Sequence, residues 1–299
     1  MLNAARRALV EVRAITAADP LPPFVARMSG NLGLLFYSRN DASYQVKVGL
    51  MTRLDREHRG LVAGYRAMPA NVPEPLLLAT YGPYQVLAAR GMRHRPLLPL
   101  QGTADATVLI DGIDAFLATC RRAFHVEGRG RSWPILQQAL DDAGARVGWD
   151  DRRVYWTGIR GWEARLPPVR QHGDFSANNL GIDGDRLVFF DWEDFGEVDL
   201  PGYDVAVLLL SLAGFSLWEL AARLRSDSME AAIVRRCCVT LGVSAAEFMH
   251  LFPAYAALYV QSKSMLGYPA KVTERLMAIL GEWMLLYPSA APAPGAALR

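Results

Sequence analysis

The 299-residue chain is poor in cysteine, with only Cys120, Cys237 and Cys238. Their spacing forms neither a CxxC pair nor a Cys/His set, so no cysteine metal site is indicated. The first twenty residues carry charges throughout and have no apolar segment of signal-peptide length. We therefore expect reduced thiols, a cytoplasmic location and a short amphipathic helix at the N-terminus.

An excess of one charge and a long apolar run are also missing. The 32 Lys and Arg residues nearly balance the 30 Asp and Glu residues, and the two signs are interspersed. This balance argues against a nucleic-acid partner. The longest largely apolar run, residues 205–218, is too short to cross a bilayer as a helix. We expect it to be a buried core helix and expect no membrane partner.

The hydrophobic content of 52% is sufficient for a large core and suits two lobes. Period-two patterns predict strands in the first ninety residues, around one helix, and helical patterns follow. The predicted fold class is α+β, with a small β-rich lobe over residues 1–90, a larger helical lobe over 91–288 and a disordered tail over 289–299. Predicted strands cover 32–37, 44–48, 75–78 and 84–89; predicted helices cover 53–68, 104–124, 132–147, 205–225, 229–241, 244–265 and 271–286.

The most informative stretch is QHGDFSANNLGIDGDRLVFFDWE at residues 171–193. Asp174, Asn179 and Asp191 follow one another in the order in which phosphoryl-transfer enzymes use a catalytic Asp, a metal-binding Asn and a metal-binding Asp. Two short apolar runs flank the turn at residues 183–185, which predicts a β-hairpin that returns Asp191 beside Asn179. We predict that Asp174 is the catalytic base and that Asn179 and Asp191 bind Mg²⁺.

These residues carry a family resemblance. His172-Gly173-Asp174, Asn179 and Phe190-Asp191-Trp192-Glu193 resemble the signature of the aminoglycoside phosphotransferase and choline kinase-like family. The resemblance implies a bilobal protein-kinase-like fold, ATP as the donor, with GTP as an open alternative, and a small-molecule hydroxyl substrate. Asp204 resembles a structural carboxylate of that family, which ties down the catalytic loop. We expect His172 to brace the loop, because Asp174 already supplies the base.

Two charged residues of the first lobe are candidates for nucleotide binding. Lys47 lies within a predicted strand, where an inward ammonium needs an anionic partner; the alternative is an edge-strand lysine that faces water. Glu57 lies on the apolar stripe between Leu54 and Leu61, which turns it inward. The alternative is a surface glutamate on a helix of shifted phase. An inward pair would match the Lys–Glu pair that kinases use at the nucleotide phosphates.

The glycine turn before the first predicted strand is a weaker signal. Gly30 and Gly33 could let the backbone approach phosphate closely, but the turn falls short of GxGxxG, and an ordinary hairpin turn is the alternative. The family resemblance places residues 88–91, including Ala89, against the adenine ring.

The charge of the second lobe bears on the acceptor. From Phe215 onward the sequence contains six acidic and eight basic residues. It therefore does not predict the acidic pocket that polycationic aminoglycosides require. Acids at positions 193, 194, 197 and 199 weigh against this argument. A sugar or an amino alcohol is therefore favoured.

Two other functions remain as alternatives. The thin glycine turn is compatible with a kinase-like scaffold that binds nucleotide with weak catalysis. A protein kinase is disfavoured, because residues 192–201 are too few for a peptide-docking segment. The sequence carries no signal for an oligomeric state.

Overall fold

A computed structural model describes residues 1–19, 25–29, 32–39, 42–49, 54–92, 94–128, 130–268 and 270–286. They divide into two compact units. The first combines Met1–Leu100 with Asn178–Phe195, and the second combines Gln101–Ala177 with the chain from Gly196 onward. The predicted hairpin, which we had placed in the second lobe, thus groups with the first unit. The predicted tail lies outside the described residues.

The fold is α+β, as predicted. In chain order, the elements are α1 (Leu2–Glu11), β1 (Val25–Ser29), β2 (Leu32–Arg39), β3 (Ala42–Gly49), α2 (Leu54–Ala67), β4 (Pro75–Tyr81), β5 (Tyr84–Arg90), β6 (Arg95–Pro96), α3 (Thr103–Ala123), α4 (Ser132–Val147), α5 (Arg152–Ile159), β7 (Leu180–Asp183), β8 (Arg186–Phe189), α6 (Tyr203–Leu212), α7 (Leu217–Leu224), α8 (Met229–Leu241), α9 (Ala245–His250), α10 (Phe252–Met265) and α11 (Ala270–Leu286). The sequence patterns do not predict β1, β6 or α5.

The first unit contains a five-stranded antiparallel sheet in the order β1-β2-β3-β5-β4. Successive side chains of a strand point to opposite faces. On β3, Val46 and Val48 are fully buried against the predicted N-terminal helix, α1, which contributes Ala8 and Leu9 to the same core. Lys47 therefore points to the other face of the sheet. The predicted strands and this alternation are confirmed.

The predicted hairpin is present as β7 and β8, with Leu180 opposite Phe189. Gly184 has a positive φ of 62° in the turn, which glycine adopts without steric cost. Asn71 holds the hairpin in the first unit: its Nδ2 donates to the Leu187 carbonyl at 2.8 Å, and its carbonyl accepts from the Phe189 N–H at 2.8 Å. Together with the pairing of β6 on β7, these bonds explain why the hairpin groups with residues 1–100.

Two glycines let α2 pack directly on the residues that follow the hairpin. A Cβ atom on Gly60 would lie 2.3 Å from the Trp192 carbonyl oxygen, and one on Gly64 would lie 2.7 Å from the Trp192 indole. Trp192 is fully buried and begins a 3₁₀ turn. The glycines weaken the helical pattern of the sequence, yet this close approach requires them. The contact fixes α2, and with it Glu57, relative to the end of the hairpin.

The second unit is helical, and α6 is buried along most of its length. The prediction of one helix over residues 205–225, including a continuous core helix over 205–218, was wrong. The chain leaves the helix after Leu212, since Gly214 and Phe215 both have positive φ, and α7 restarts at a cap in which Ser216 accepts the Glu219 N–H. A break of this kind rests on two adjacent residues with positive φ, which the apolar pattern does not reveal.

The prediction of one helix over residues 244–265 was also wrong. A capping box between Ser244 and Glu247 begins α9, which ends at His250. Pro253 lies in the first turn of α10, where its missing N–H costs nothing. Proline in this stretch therefore marked a new helix start.

Among the described residues, no single helix is long and apolar enough to cross a bilayer. Two helix pairs, α6 with α7 and the α8 to α10 segment, pass that test jointly but are bent by 95° and 97°.

We expect Gly64→Ala to destabilise the protein by about 1–3 kcal/mol, because the new methyl group would overlap the Trp192 indole. Gly281→Ala in α11 is the matched control, since a Cβ there meets nothing within 4 Å. It should stabilise by up to about 1 kcal/mol through helix propensity. Urea unfolding measures both; equal effects of the two substitutions would contradict the packing described for α2.

Candidate active site

Lys47 is the centre of the candidate site in the first unit. Its side chain is 9% exposed, and its Nζ lies 2.6 Å from Glu57 Oε1 and 2.7 Å from Asp191 Oδ1. The strand that carries it, β3, lies inside the sheet between β2 and β5. Glu57 is buried on α2. The alternatives of an edge-strand lysine and a surface glutamate are therefore wrong, and the structure brings the two predicted residues together.

Neighbouring charges and burial shift the pKa values of Lys47 and Glu57. Burial disfavours the ammonium of Lys47, but Asp191 and Glu57 outweigh it and hold the pKa of Lys47 above its ordinary value. Burial raises the pKa of Glu57 to about 7; Lys47 opposes this shift, and the charges of Asp191 and Glu193 add to it. The ammonium of Lys47 thus contacts two carboxylates and stabilises their ionised forms.

Asp191 has a strained backbone. Its φ of 62° and ψ of 63° lie in the left-handed region, which costs a non-glycine residue roughly 1–2 kcal/mol. The preceding Phe190 donates its N–H to the Asn179 carbonyl at 2.9 Å, so the hairpin places Asn179 and Asp191 at its open end as predicted. The side chain of Asp191 remains 35% exposed while it contacts Lys47. Strain of this kind is typical of residues that a fold holds in place for function.

The oxygen ligands at the open end of the β7–β8 hairpin suit a hard divalent cation. Carboxylate oxygens of Glu57, Asp191 and Glu193 lie within 4.8 Å of one another. Carboxylate and amide oxygens are preferred ligands of Mg²⁺, so Asp191, together with Asn179 and Glu193, fits a magnesium site by its chemistry. Glu193 was missed in the sequence, where its spacing of two residues from Asp191 was the available signal.

The nucleotide-binding candidates fall in different places. Ala89 is buried on β5 and lines a small cavity that Lys47, Glu57 and Asp191 also line. Gly33 does not lie in a turn as expected, because it pairs with Val48 inside the β2–β3 ladder. Gly30 lies outside the described residues.

In the second unit, Asp204 holds the loop that carries Asp174. Its Oδ2 accepts the His172 N–H at 2.6 Å, and its Oδ1 accepts the Gly173 N–H at 3.0 Å. Gly173 has a positive φ of 90° in this loop. Burial raises the pKa of Asp204 to about 7, which the two backbone hydrogen bonds oppose. This arrangement matches the carboxylate that we expected to tie down the loop.

His172 and Lys263 contact Asp174 from two sides. The Asp174 N–H donates to His172 Nδ1 at 3.4 Å, and the buried imidazole packs edge-on against Phe175. This geometry fits a bracing histidine. Lys263 Nζ lies 3.4 Å from Asp174 Oδ2. Sequence reasoning missed this lysine; its spacing of four residues from Tyr259 on one helix was the only signal.

Comparison with known proteins fits these observations. A family model described as the phosphotransferase enzyme family matches residues 45–233, which is more than half of the chain. The chain belongs to this family. The matched range includes Lys47, Glu57, Asp174, Asn179 and Asp191, and the resemblance stated from residues 172–193 is confirmed. No curated protein sequence matches the chain.

Several solved structures are similar to this chain in fold. A thermostable mutant of aminoglycoside phosphotransferase APH(4)-Ia, in a ternary complex with ADP and hygromycin B, is 14% identical, with a TM-score of 0.60 over 94% of this chain and 98% of the other. An ethanolamine kinase from Plasmodium vivax is 13% identical, with a TM-score of 0.58 over 96% and 89%. An aminoglycoside-3'-phosphotransferase of type VIII is 18% identical, with a TM-score of 0.53 over 86% and 98%.

At these identities the likeness concerns the fold alone, and it confirms the predicted two-lobed, protein-kinase-like type. Membership of the family supports phosphoryl transfer to a small molecule.

The raised pKa of Glu57 gives the stability a pH dependence. The proton binds more tightly in the folded state than at the ordinary pKa of 4.5, so the free energy of unfolding should fall as pH rises from about 4.5 to about 7. Glu57→Gln removes the titrating carboxyl group. The decrease in the free energy of unfolding over this pH range, on the order of 1–3 kcal/mol in the wild-type protein, should be absent from the variant. Thermal unfolding from pH 4.5 to 8 measures the difference.

Glu74→Gln, which removes an exposed acid paired with Arg90, is the control and should keep the wild-type pH dependence. Parallel curves for the wild type and Glu57→Gln would contradict the assigned cause.

Proposed function

We propose that this phosphotransferase moves the γ-phosphoryl group of ATP to a hydroxyl group of a small molecule, with a sugar or an amino alcohol favoured over an aminoglycoside. The observation that carries the proposal is the buried contact of Lys47 with both Glu57 and Asp191 in a chain of this family. A lysine held between a helix glutamate and a metal-binding aspartate is the arrangement that kinases use at the nucleotide phosphates.

On the donor side, Lys47 offers its ammonium to the phosphate oxygens, and Glu57 keeps the lysine in place. Asn179, Asp191 and Glu193 provide the oxygen donors for Mg²⁺, whose chemistry is the neutralisation of phosphate charge. Ala89 leaves room for the nucleotide base, since its side chain is a single methyl group. Of the two glycines, Gly30 remains the candidate for a close backbone approach to the phosphates.

On the acceptor side, Asp174 orients the hydroxyl group and accepts its proton as the oxygen attacks. Its side chain is 22% exposed, which leaves an acceptor access to the carboxylate. Asp204 and His172 fix the loop, so the carboxylate is held before the acceptor arrives. Such positioning is the main contribution that a protein makes to phosphoryl transfer.

The acceptor preference follows from charge. The solved structures of similar fold include a complex with hygromycin B and an ethanolamine kinase, and these acceptors belong to those proteins. In this chain, the sequence from Phe215 onward contains six acidic and eight basic residues. This part of the chain therefore offers a polycation little complementary charge.

Asp174→Asn should lower kcat by roughly 10²–10⁴-fold, because the proton acceptor is lost while Lys47 and the metal-binding residues remain. Transfer from labelled ATP to an acceptor found among hydroxylated metabolites measures the rate, and ATP protection against thermal unfolding measures binding. Asp185→Asn, in the exposed hairpin turn, is the control and should keep the wild-type rate.

A wild-type rate for Asp174→Asn would overturn the assignment of the base. Protection by ATP and Mg²⁺ in the wild-type protein, without transfer to any acceptor, would instead identify a nucleotide-binding scaffold.

A further inference from the structure

A buried lysine contacts the proposed base of this phosphotransferase. Lys263 on α10 is 1% exposed, and its Nζ lies 3.4 Å from Asp174 Oδ2. Removing an ammonium from water is costly unless other groups compensate for the lost hydration. The carboxylate of Asp174 supplies part of that compensation, so a fixed positive charge lies beside the point at which the acceptor hydroxyl must arrive.

Two aromatic rings supply another part. Lys263 Nζ lies 4.4 Å from the ring centroid of Tyr268 and 5.2 Å from that of Tyr259. Aromatic faces at such distances attract cations, and proteins use them to recognise ammonium ligands. In this chain the two rings and the Asp174 carboxylate already contact the protein's own ammonium. A cationic substrate would have to compete with Lys263 for all three groups.

We propose that Lys263 selects the charge of the acceptor, which is uncharged or anionic next to the hydroxyl group that is phosphorylated. This inference rests on the proposed function, because it takes Asp174 as the base. Because the Asp174 carboxylate is already paired with Lys263, it offers little attraction to an ammonium group carried next to the reacting hydroxyl, and Lys263 repels that group. A carboxylate or phosphate there would be attracted by Lys263. Sugars, polyols and hydroxy acids fit this condition, whereas amino alcohols and aminoglycosides with an amine beside the hydroxyl do not. Of the two acceptor classes favoured above, the inference therefore retains the sugars.

Matched triplets of acceptors test the inference with the full-length protein. One triplet is glucosamine, glucose and glucuronate; the other is ethanolamine, ethylene glycol and glycolate. Transfer from labelled ATP gives kcat/KM for each compound at pH 7, and thermal shifts give binding. In the wild-type protein, we expect kcat/KM for the neutral and anionic members of each triplet to exceed kcat/KM for the cationic member on the order of tenfold.

Lys263→Met keeps the length of the apolar stem and removes the charge, so it should reduce this ratio to near one. Arg236→Gln is the control: it removes one positive charge from an exposed site of the same unit, and the ratio should stay at the wild-type value. A purely structural role for Lys263 would lower all rates alike and leave the ratio unchanged. If Lys263→Met does not fold, the order of kcat/KM among the members of each triplet in the wild-type protein decides whether the inference holds.

Equal or better use of the cationic members by the wild-type protein, or an unchanged ratio in folded Lys263→Met, would overturn the inference. Transfer without any charge order would leave the phosphotransferase assignment intact and reject the role of Lys263. Binding in the expected order that Lys263→Met abolishes, without transfer to any member, would support charge selection by Lys263 and reject these six compounds as acceptors.

Discussion

Lys47 carries a buried positive charge between the carboxylates of Glu57 and Asp191, and much of the first unit is arranged around this contact. The three residues come from β3, α2 and the end of the β7–β8 hairpin, so the contact joins segments far apart in sequence. Removal of one partner from a buried ion pair typically costs about 3–5 kcal/mol, because the other charge is left uncompensated. The close packing of α2 on Trp192 and the two hydrogen bonds of Asn71 fix the distances that the contact requires.

The second unit likewise fixes the position of a charged residue, Asp174. The buried carboxylate of Asp204 accepts the backbone N–H groups of His172 and Gly173, and His172 accepts the backbone N–H of Asp174. The Asp174 side chain contacts Lys263. In both units a carboxylate of the proposed site contacts a buried lysine. In both, the backbone nearby adopts a positive φ, at Asp191 and at Gly173. The fold thus holds charged groups in defined positions before any substrate binds, which is what phosphoryl transfer demands of a protein.

Features with a local signal could be predicted from the sequence. The alternation around Lys47, the apolar stripe around Glu57 and the turn at Gly184 each depend on neighbours within a few residues, and the structure agrees with all three. The helix breaks before α7 and α10 were missed, because one depends on a left-handed Phe215 and the other on a proline that begins a helix. Lys263, and the need for glycine at positions 60 and 64, depend on contacts with distant residues. No periodicity of a single sequence reveals such contacts.

The central claim is that Lys47 and Asp191 stabilise each other rather than lying close by chance. A double-mutant cycle of Lys47→Met and Asp191→Asn, measured by urea unfolding, tests it most directly. The account predicts that the double variant loses less stability than the two single variants together, by about 1 kcal/mol or more. Effects that add within about 0.5 kcal/mol would contradict it.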